Sequence, residues 1–313
     1  MPLQKAMVDF GASESFDKAV KKLKVHYGID ISYSAERSIT YKHAQEMTSI
    51  NAKACKKSNT RSCKKESFNH SGSKYIISET DGSMVPIVLT KSGKDKRKDK
   101  QVLWRESRLT LARDSSSLTK YFAATFDETD VAGKHIRHCV QRAGLGHNSV
   151  VHAVGDGALW IADQVEKQFG SQASYLIDFY HASEYLAAAS HECSKITPKK
   201  WLHAQQQLLK CGHYETVLAN IKDYALMHED SDTSKCYHYL KRRTHQLHYD
   251  VAIKNDLPIG SGEIESAHRY IIQDRLKISG AWWLLPNAEN MIQLSIFRAN
   301  EDWDTYWESK LIA

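Results

Sequence analysis

Apolar positions first recur at helical spacing after the serines at Ser13 and Ser15, where Phe16, Ala19, Val20, Leu23 and Tyr27 line one face until Gly28 stops the helix. A second helix is predicted from Ser34 to Met47. The short turn from Gly28 to Ser32 between them gives the outline of a helix-turn-helix, equally the outline of any two packed helices. Between Asn51 and Lys74, Ser, Lys and Asn replace nearly all apolar residues, so a linker and a domain boundary are expected there. After that segment the period shortens. Tyr75 to Leu89, Gln101 to Arg113 and Lys120 to Phe126 are rich in β-branched and aromatic residues and read as three strands.

The loops joining these strands hold about six to eleven residues, too few for a parallel crossover, so an antiparallel meander is expected. The pattern then alternates. A helix from Asp130 to Ala143, a strand Ser149 to Asp156, a helix Ala158 to Phe169 and a strand Ser174 to Phe179 form βαβ units with parallel strands. Three antiparallel strands followed by helix, strand, helix, strand is the layout of an α/β, ribonuclease-H-like mixed sheet, in which the first and fourth strands can lie side by side. Strand signals vanish from Ala182 to Asn255, an all-helical insertion of about seventy residues. The loop Leu257 to Gly262 closes it, and a helix from Glu263 to Ser279 follows, with Ile264, Ala267, Ile271 and Ile272 on its buried stripe. The expected organisation is a helical region 1–50, a basic linker 51–74, a core 75–182, the insertion 183–256, and returning helices 257–313.

Composition narrows the function classes. With 42% apolar and 26% charged residues in 313, the chain reads as folded rather than disordered, with no membrane-spanning run and no secretory signal. The cytoplasm is therefore the expected compartment, and the six cysteines are expected as reduced thiols. Cys55, Cys63 and His70 are too irregularly spaced for a zinc finger. No phosphate loop or dinucleotide fingerprint occurs.

The net charge of +6 is unevenly spread: residues 1–100 carry 20 Lys and Arg against 11 Asp and Glu, and the remainder carries 23 against 26. Two runs dominate, Lys53 to Lys65 and Lys91 to Lys100, the second including Lys94, Lys96, Arg97 and Lys98. Such segments attract polyanions and release counterions on binding them; a solvated, flexible surface is the plainer reading. Lys241, Arg242 and Arg243 in the insertion admit the same two readings.

Two Asp-Gly steps, Thr80-Asp81-Gly82 and Gly155-Asp156-Gly157, each follow an apolar strand. Neighbouring strands would bring the two carboxylates together, and such a pair repels itself unless protonated or neutralised by cations. A third carboxylate is expected from Glu265, in the first turn after Gly260-Ser261-Gly262, with Glu263 as its competitor.

The ordered segments SETDGSMVPIV, VVHAVGDGALWIADQ, LIDFYHASEYL and LPIGSGEIESAHRYIIQDRLK, closing with Trp303 to Trp307, resemble the DDE transposases of bacterial insertion sequences, in the branch similar to eukaryotic Mutator elements. The resemblance spans residues 75–307, and GDGALWI and GSGEIES carry it most specifically. It implies Asp81 and Asp156 as catalytic aspartates and Glu265 as the glutamate, with Glu263 still open. Together they would hold two Mg²⁺ ions, for which Mn²⁺ can substitute, in DNA cleavage and strand transfer. It also implies a role for Asp178 and His181, an aspartate followed three residues later by histidine, with His181 orienting a phosphate or relaying a proton beside the cluster, the plainer reading being a structural histidine hydrogen-bonded to a carboxylate at a strand end. Trp201 is expected to stack on a base unstacked at the cleavage site, or to be a helix-core residue. The implied partners are terminal inverted repeats, target DNA and a second copy of the chain, with the enzyme associated with the nucleoid. The start is short by the standard of this family, so a truncated or catalytically inactive DNA-binding derivative is the alternative expectation.

Overall fold

A computed structural model describes residues 2–60, 71–90 and 100–312. The elements run α1 (Pro2–Ser13), α2 (Phe16–Tyr27), α3 (Tyr33–Thr60), β1 (Tyr75–Thr90), β2 (Lys100–Asp114), β3 (Tyr121–Thr125), α4 (Thr129–Arg142), β4 (Val150–Gly155), α5 (Leu159–Phe169) and β5 (Ala173–Ile177). The helical insertion comprises α6 (Phe179–Cys193), α7 (Pro198–Lys210), α8 (Tyr214–Met227), α9 (Asp232–Lys241) and α10 (Tyr249–Lys254). Then come α11 (Gly262–Ala267), a π-helical turn His268–Gln273, α12 (Asp274–Leu276), α13 (Leu285–Ala299) and α14 (Asp302–Ile312).

The five strands form one mixed sheet in the order β3-β2-β1-β4-β5. β1, β2 and β3 pair antiparallel, whereas β4 is parallel to β1 and β5 to β4, so the first and fourth strands are neighbours as the pattern allows. Alternation along the strands divides the residues between two faces. Ile76, Ala112, Ala123 and Val151 pack with Ile136, Cys139 and Val140 of α4, and α5 covers Ala153 beside them. On the opposite face Leu109, Leu111, Phe122 and Ala124 meet Ile264, Ala267, Ile271 and the buried stripe of α13.

The N-terminal helices belong to this second core rather than standing apart. Val8, Ala12, Ala44 and Met47 are buried in it, together with Trp307 of α14. Ser15 caps α2 by accepting from Lys18 N, and Gly28 ends it at φ +67°, as the sequence predicts. Two features differ from expectation: α1 precedes this helix, and α3 continues to Thr60, well past Met47. The part of the expected linker from Asn51 to Thr60 is thus helical. Arg275 fastens the N-terminal helices to the end of the α11 run. Its guanidinium lies 4.7 Å from both the Phe16 and Trp283 rings, and its Nε donates to Gly11 O at 2.9 Å.

The free edge of β3 is closed by side chains of α13 and the residue after it. Asn300 donates to Phe122 O and accepts from Phe122 N, Gln293 donates to Ala124 O, and Glu289 accepts from Phe126 N. The insertion builds its own core around Leu186, Leu209, Ile221, Leu240 and Tyr249, continuous with Val154, Leu176 and Ile177 of the sheet. Among the described residues no helix is long and apolar enough to cross a membrane, and Cys139, Cys193, Cys211 and Cys236 are free thiols. Cys63 and His70 lie outside the described residues.

Candidate active site

Asp81 lies within β1, paired with Leu109 of β2 and two residues past the last pair that β1 makes with β4, and Asp156 directly follows β4. The parallel register runs Ile77 beside His152 and Glu79 beside Val154, and carrying it two positions further aligns Asp81 with Asp156 on the face that α11 covers. Asp81 Oδ1 accepts from Gly82 N at 2.7 Å, and its side chain remains 39% exposed. Nε2 of His268 lies 3.1 Å from Asp81 Oδ2, but without hydrogen-bond geometry: neither ring nitrogen of this buried histidine has a hydrogen-bond partner. His268 opens the π-helical turn, a helix distortion often found where a side chain is re-aimed for function.

Asp156 is held by its backbone. Its Oδ1 accepts from Ala158 N at 2.8 Å, closing a turn around Gly157, whose φ of +87° favours glycine. A Cβ there would also stand 2.3 Å from Tyr239 Oη. Three side chains grip the turn: Tyr239 Oη donates to Asp156 O at 2.9 Å, Arg243 Nε donates to Gly157 O at 3.2 Å, and Tyr175 Oη accepts from Gly157 N at 3.1 Å. Burial pushes the Tyr175 and Tyr239 phenols up, keeping both protonated. Tyr239 is stacked on Tyr185 at 4.0 Å, with the Arg243 guanidinium 4.3 Å over its ring.

α11 is seated on β1 through a buried carboxylate. Glu79 Oε2 accepts from Ile264 N at 2.8 Å, while Oε1 has no partner, and burial pushes this carboxyl up to about 7. The two glutamates of α11 diverge from there. Glu263 points to the β2 side, where Arg113 and Lys120 pair with it at 2.7 and 2.8 Å. Burial works against its charge, but hydrogen bonds from Arg113 and Lys120 outweigh that and hold it below the usual carboxylate range. Glu265 is exposed, one helical turn before His268. Of the two candidates, Glu263 is engaged by two cations and Glu265 faces solvent.

Asp178 caps α6: Oδ1 accepts from Tyr180 N at 2.6 Å and His181 N at 3.1 Å. Its Oδ2 accepts from Ser261 N and Ser261 Oγ, both at 2.6 Å, tying the loop before α11 to the end of β5. His181 sits edge-on to Tyr185 and Tyr239, 5.6 and 5.9 Å from their centroids.

No protein-family model matches the chain. None of the curated proteins matches it either.

The expected oxygen-donor set of Asp81, Asp156 and Glu265 suits a hard divalent cation. The register of β1 with β4 stops two residues before each aspartate, and Glu265 lies on the helix seated on Glu79 of β1. Among the described residues, however, no group of three or more His, Cys, Asp or Glu side chains is arranged to hold an ion as they stand. Trp201 lies in the first turn of α7, half-buried against the insertion core. Lys94, Lys96, Arg97 and Lys98 lie outside the described residues. Arg243, one of three basic residues read for phosphate contact, is engaged at the Asp156 turn.

Four residues here carry weight that the sequence reading did not assign. Glu79 precedes Asp81 by two, so strand alternation alone places both on one face. His268 follows Glu265 by three, the spacing of helical neighbours. Tyr239 and Arg243 had no such signal, because the contact joins the insertion to a strand end more than eighty residues earlier.

Proposed function

We propose that the chain is a DDE transposase with a ribonuclease-H-like catalytic domain, cleaving DNA at the ends of an insertion sequence and joining the freed 3′-hydroxyl to target DNA. What supports this reading is the parallel register of β1 and β4, which runs to Glu79 beside Val154 and, carried two positions further, sets Asp81 level with Asp156, with exposed Glu265 on the helix seated on Glu79. The strand order and directions are compatible with that fold. Bound Mg²⁺ ions would activate a water or 3′-hydroxyl and stabilise the leaving oxygen. Asp81, Asp156 and Glu265 would hold them. The chain's own part is to fix those carboxylates before DNA arrives: the turn at Gly157 orients Asp156, and the Glu79 to Ile264 bond sets the height of α11 over the sheet. Glu263, neutralised by Arg113 and Lys120, keeps a fourth free acid away from the phosphate path.

The basic segments 53–65 and 91–100 supply sequence-independent attraction to the DNA backbone, and the α2 and α3 pair is the candidate reader of the terminal repeats. Two ends must be held together, so a dimer on DNA in the cytoplasm, at the nucleoid, belongs to the same reading. The test uses duplexes carrying the DNA that flanks the coding sequence, with Mg²⁺, and follows binding, nicking and covalent strand-transfer product together. Wild type should nick and join; Asp81→Ala, Asp156→Ala and Glu265→Ala should each bind but not cut. Normal cutting by all three variants sinks the assignment. Binding without nicking by wild type favours a DNA-binding protein without catalysis.

A further inference from the structure

The first turn of α6 touches both halves of the candidate site. Its cap, Asp178, holds the loop that delivers α11, through two 2.6 Å bonds from Ser261, and Phe179 N donates to Ile259 O at 2.8 Å beside them. One turn on, His181 buttresses the Tyr185 and Tyr239 stack, and Tyr239 in turn holds the carbonyl of Asp156. Both Asp178 oxygens are occupied by four donors in all, which leaves that carboxylate committed to the protein rather than to a ligand. The His181 ring meets aromatic faces, and its nearest carboxylate, Glu184, is 3.6 Å away on its own helix.

We infer that Asp178 and His181 are positioning residues, a junction through which the insertion helices and β5 set the Asp156 turn and the α11 loop relative to each other. This rests on the proposed roles of Asp156 and Glu265. The insertion, through Tyr239 and Arg243, is then a brace of the second aspartate, so an outside force on α9 reaches Asp156 through one hydroxyl and one guanidinium.

The variants separate positioning from imidazole or carboxylate chemistry. His181→Phe keeps an aromatic edge against Tyr185 and Tyr239 but no ring nitrogen; His181→Ala keeps neither. Asp178→Asn keeps an acceptor for the α6 cap but sets an amide NH₂ against the Ser261 N–H, and Ser261→Ala removes one bond only. Tyr239→Phe keeps the stack and loses the bond to Asp156 O. On full-length protein, cleavage rate, KM for end DNA and half-saturating Mg²⁺ are read beside amide hydrogen exchange of segments 156–158 and 259–262.

His181→Ala, Tyr239→Phe and Asp178→Asn should each lower kcat on the order of 10- to 100-fold with KM for DNA unchanged, the cost of misplacing a catalytic group slightly. His181→Phe should recover most of what His181→Ala loses. Exchange should quicken at 156–158 in His181→Ala and Tyr239→Phe, and at 259–262 in Asp178→Asn and, less, in Ser261→Ala. His181→Phe as inactive as His181→Ala overturns the junction, as does unchanged exchange in both segments. If wild type cleaves nothing, the functional reading falls, while the exchange measurements still decide the junction.

Discussion

Glu263 and Glu265 stand two apart on one helical turn, yet substitution should separate them cleanly. Removing Glu263 leaves Arg113 and Lys120 facing each other without their shared partner, in a pocket where Arg113 is 14% exposed. Glu263→Ala should therefore cost about 1–3 kcal/mol of stability by chemical denaturation, since Arg113 Nη1 keeps its bonds to the carbonyls of Asp114, Ser115 and Ser117 but the guanidinium loses its carboxylate partner. Glu265→Ala, at an exposed position, should leave the denaturation midpoint unchanged and act only on cleavage. His268 makes a third case. It stands within 3.1 Å of Asp81 Oδ2 with no better partner, so it restricts where that carboxylate can turn. His268→Ala should weaken Mn²⁺ binding, measured by calorimetry without DNA, by about 10-fold or more, in the range typical of groups that orient metal ligands; equal affinity would show that the contact is packing alone. The placement of the two Asp-Gly steps was legible in the sequence, Asp81 within the first strand and Asp156 at the end of the fourth. The different surroundings of the two glutamates were not, because Arg113 and Lys120, which pair with Glu263, lie about 150 residues away in the chain.

At the scale of elements, the strands from β1 to β5 follow their alternation to within a residue or two, since burial on both faces leaves little freedom of register. The tail of α3 shows the opposite case. Residues 51–60 lack an apolar stripe and therefore read as linker, but their polar side chains find partners on other helices: Asn51 donates to Gln293 and Ser58 bonds His138 Nδ1. Hydrophobic periodicity cannot register a helix held by polar contacts. The edge of β3 is likewise closed by side chains instead of a sixth strand. Asn300 alone satisfies both the N–H and the C=O of Phe122, so Asn300→Ala leaves two buried backbone groups unpaired. A loss of about 1–3 kcal/mol is expected. Because an open strand edge invites pairing with other chains, light scattering on mild heating should also rise. Asn300→Asp keeps only the acceptor and should fall between.

For the whole molecule, buried ionisable groups set opposite limits on pH stability at opposite sides of the second core. Glu36 is fully buried where α1 crosses α3 at Gly11, with one carboxylate oxygen unpartnered, and burial pushes it up to about 7. A carboxyl raised in the fold above its ordinary 4.5 favours folding in the protonated form: its contribution is complete below 4.5 and is lost as pH rises to about 7. On α4, His135 and His138 are pushed down to about 4, chiefly by burial. The unfolded chain takes up their protons below about 6.5 while the fold does not, so stability is lost as pH falls from 6.5 towards 4. Acid should thus loosen α4 against α3, where His138 Nδ1 bonds Ser58, and mild alkali should loosen α1 against α3. Glu36→Gln separates the two limits. Relative to wild type it should change stability little at pH 4.5 and raise it progressively to pH 7, by at most about 3 kcal/mol, then stay level. The acid-side loss from α4 should be untouched, so the pH of greatest stability moves upward. A constant difference between the two proteins from pH 4.5 to 8, by urea titration at each pH, would show that Glu36 does not titrate across that window.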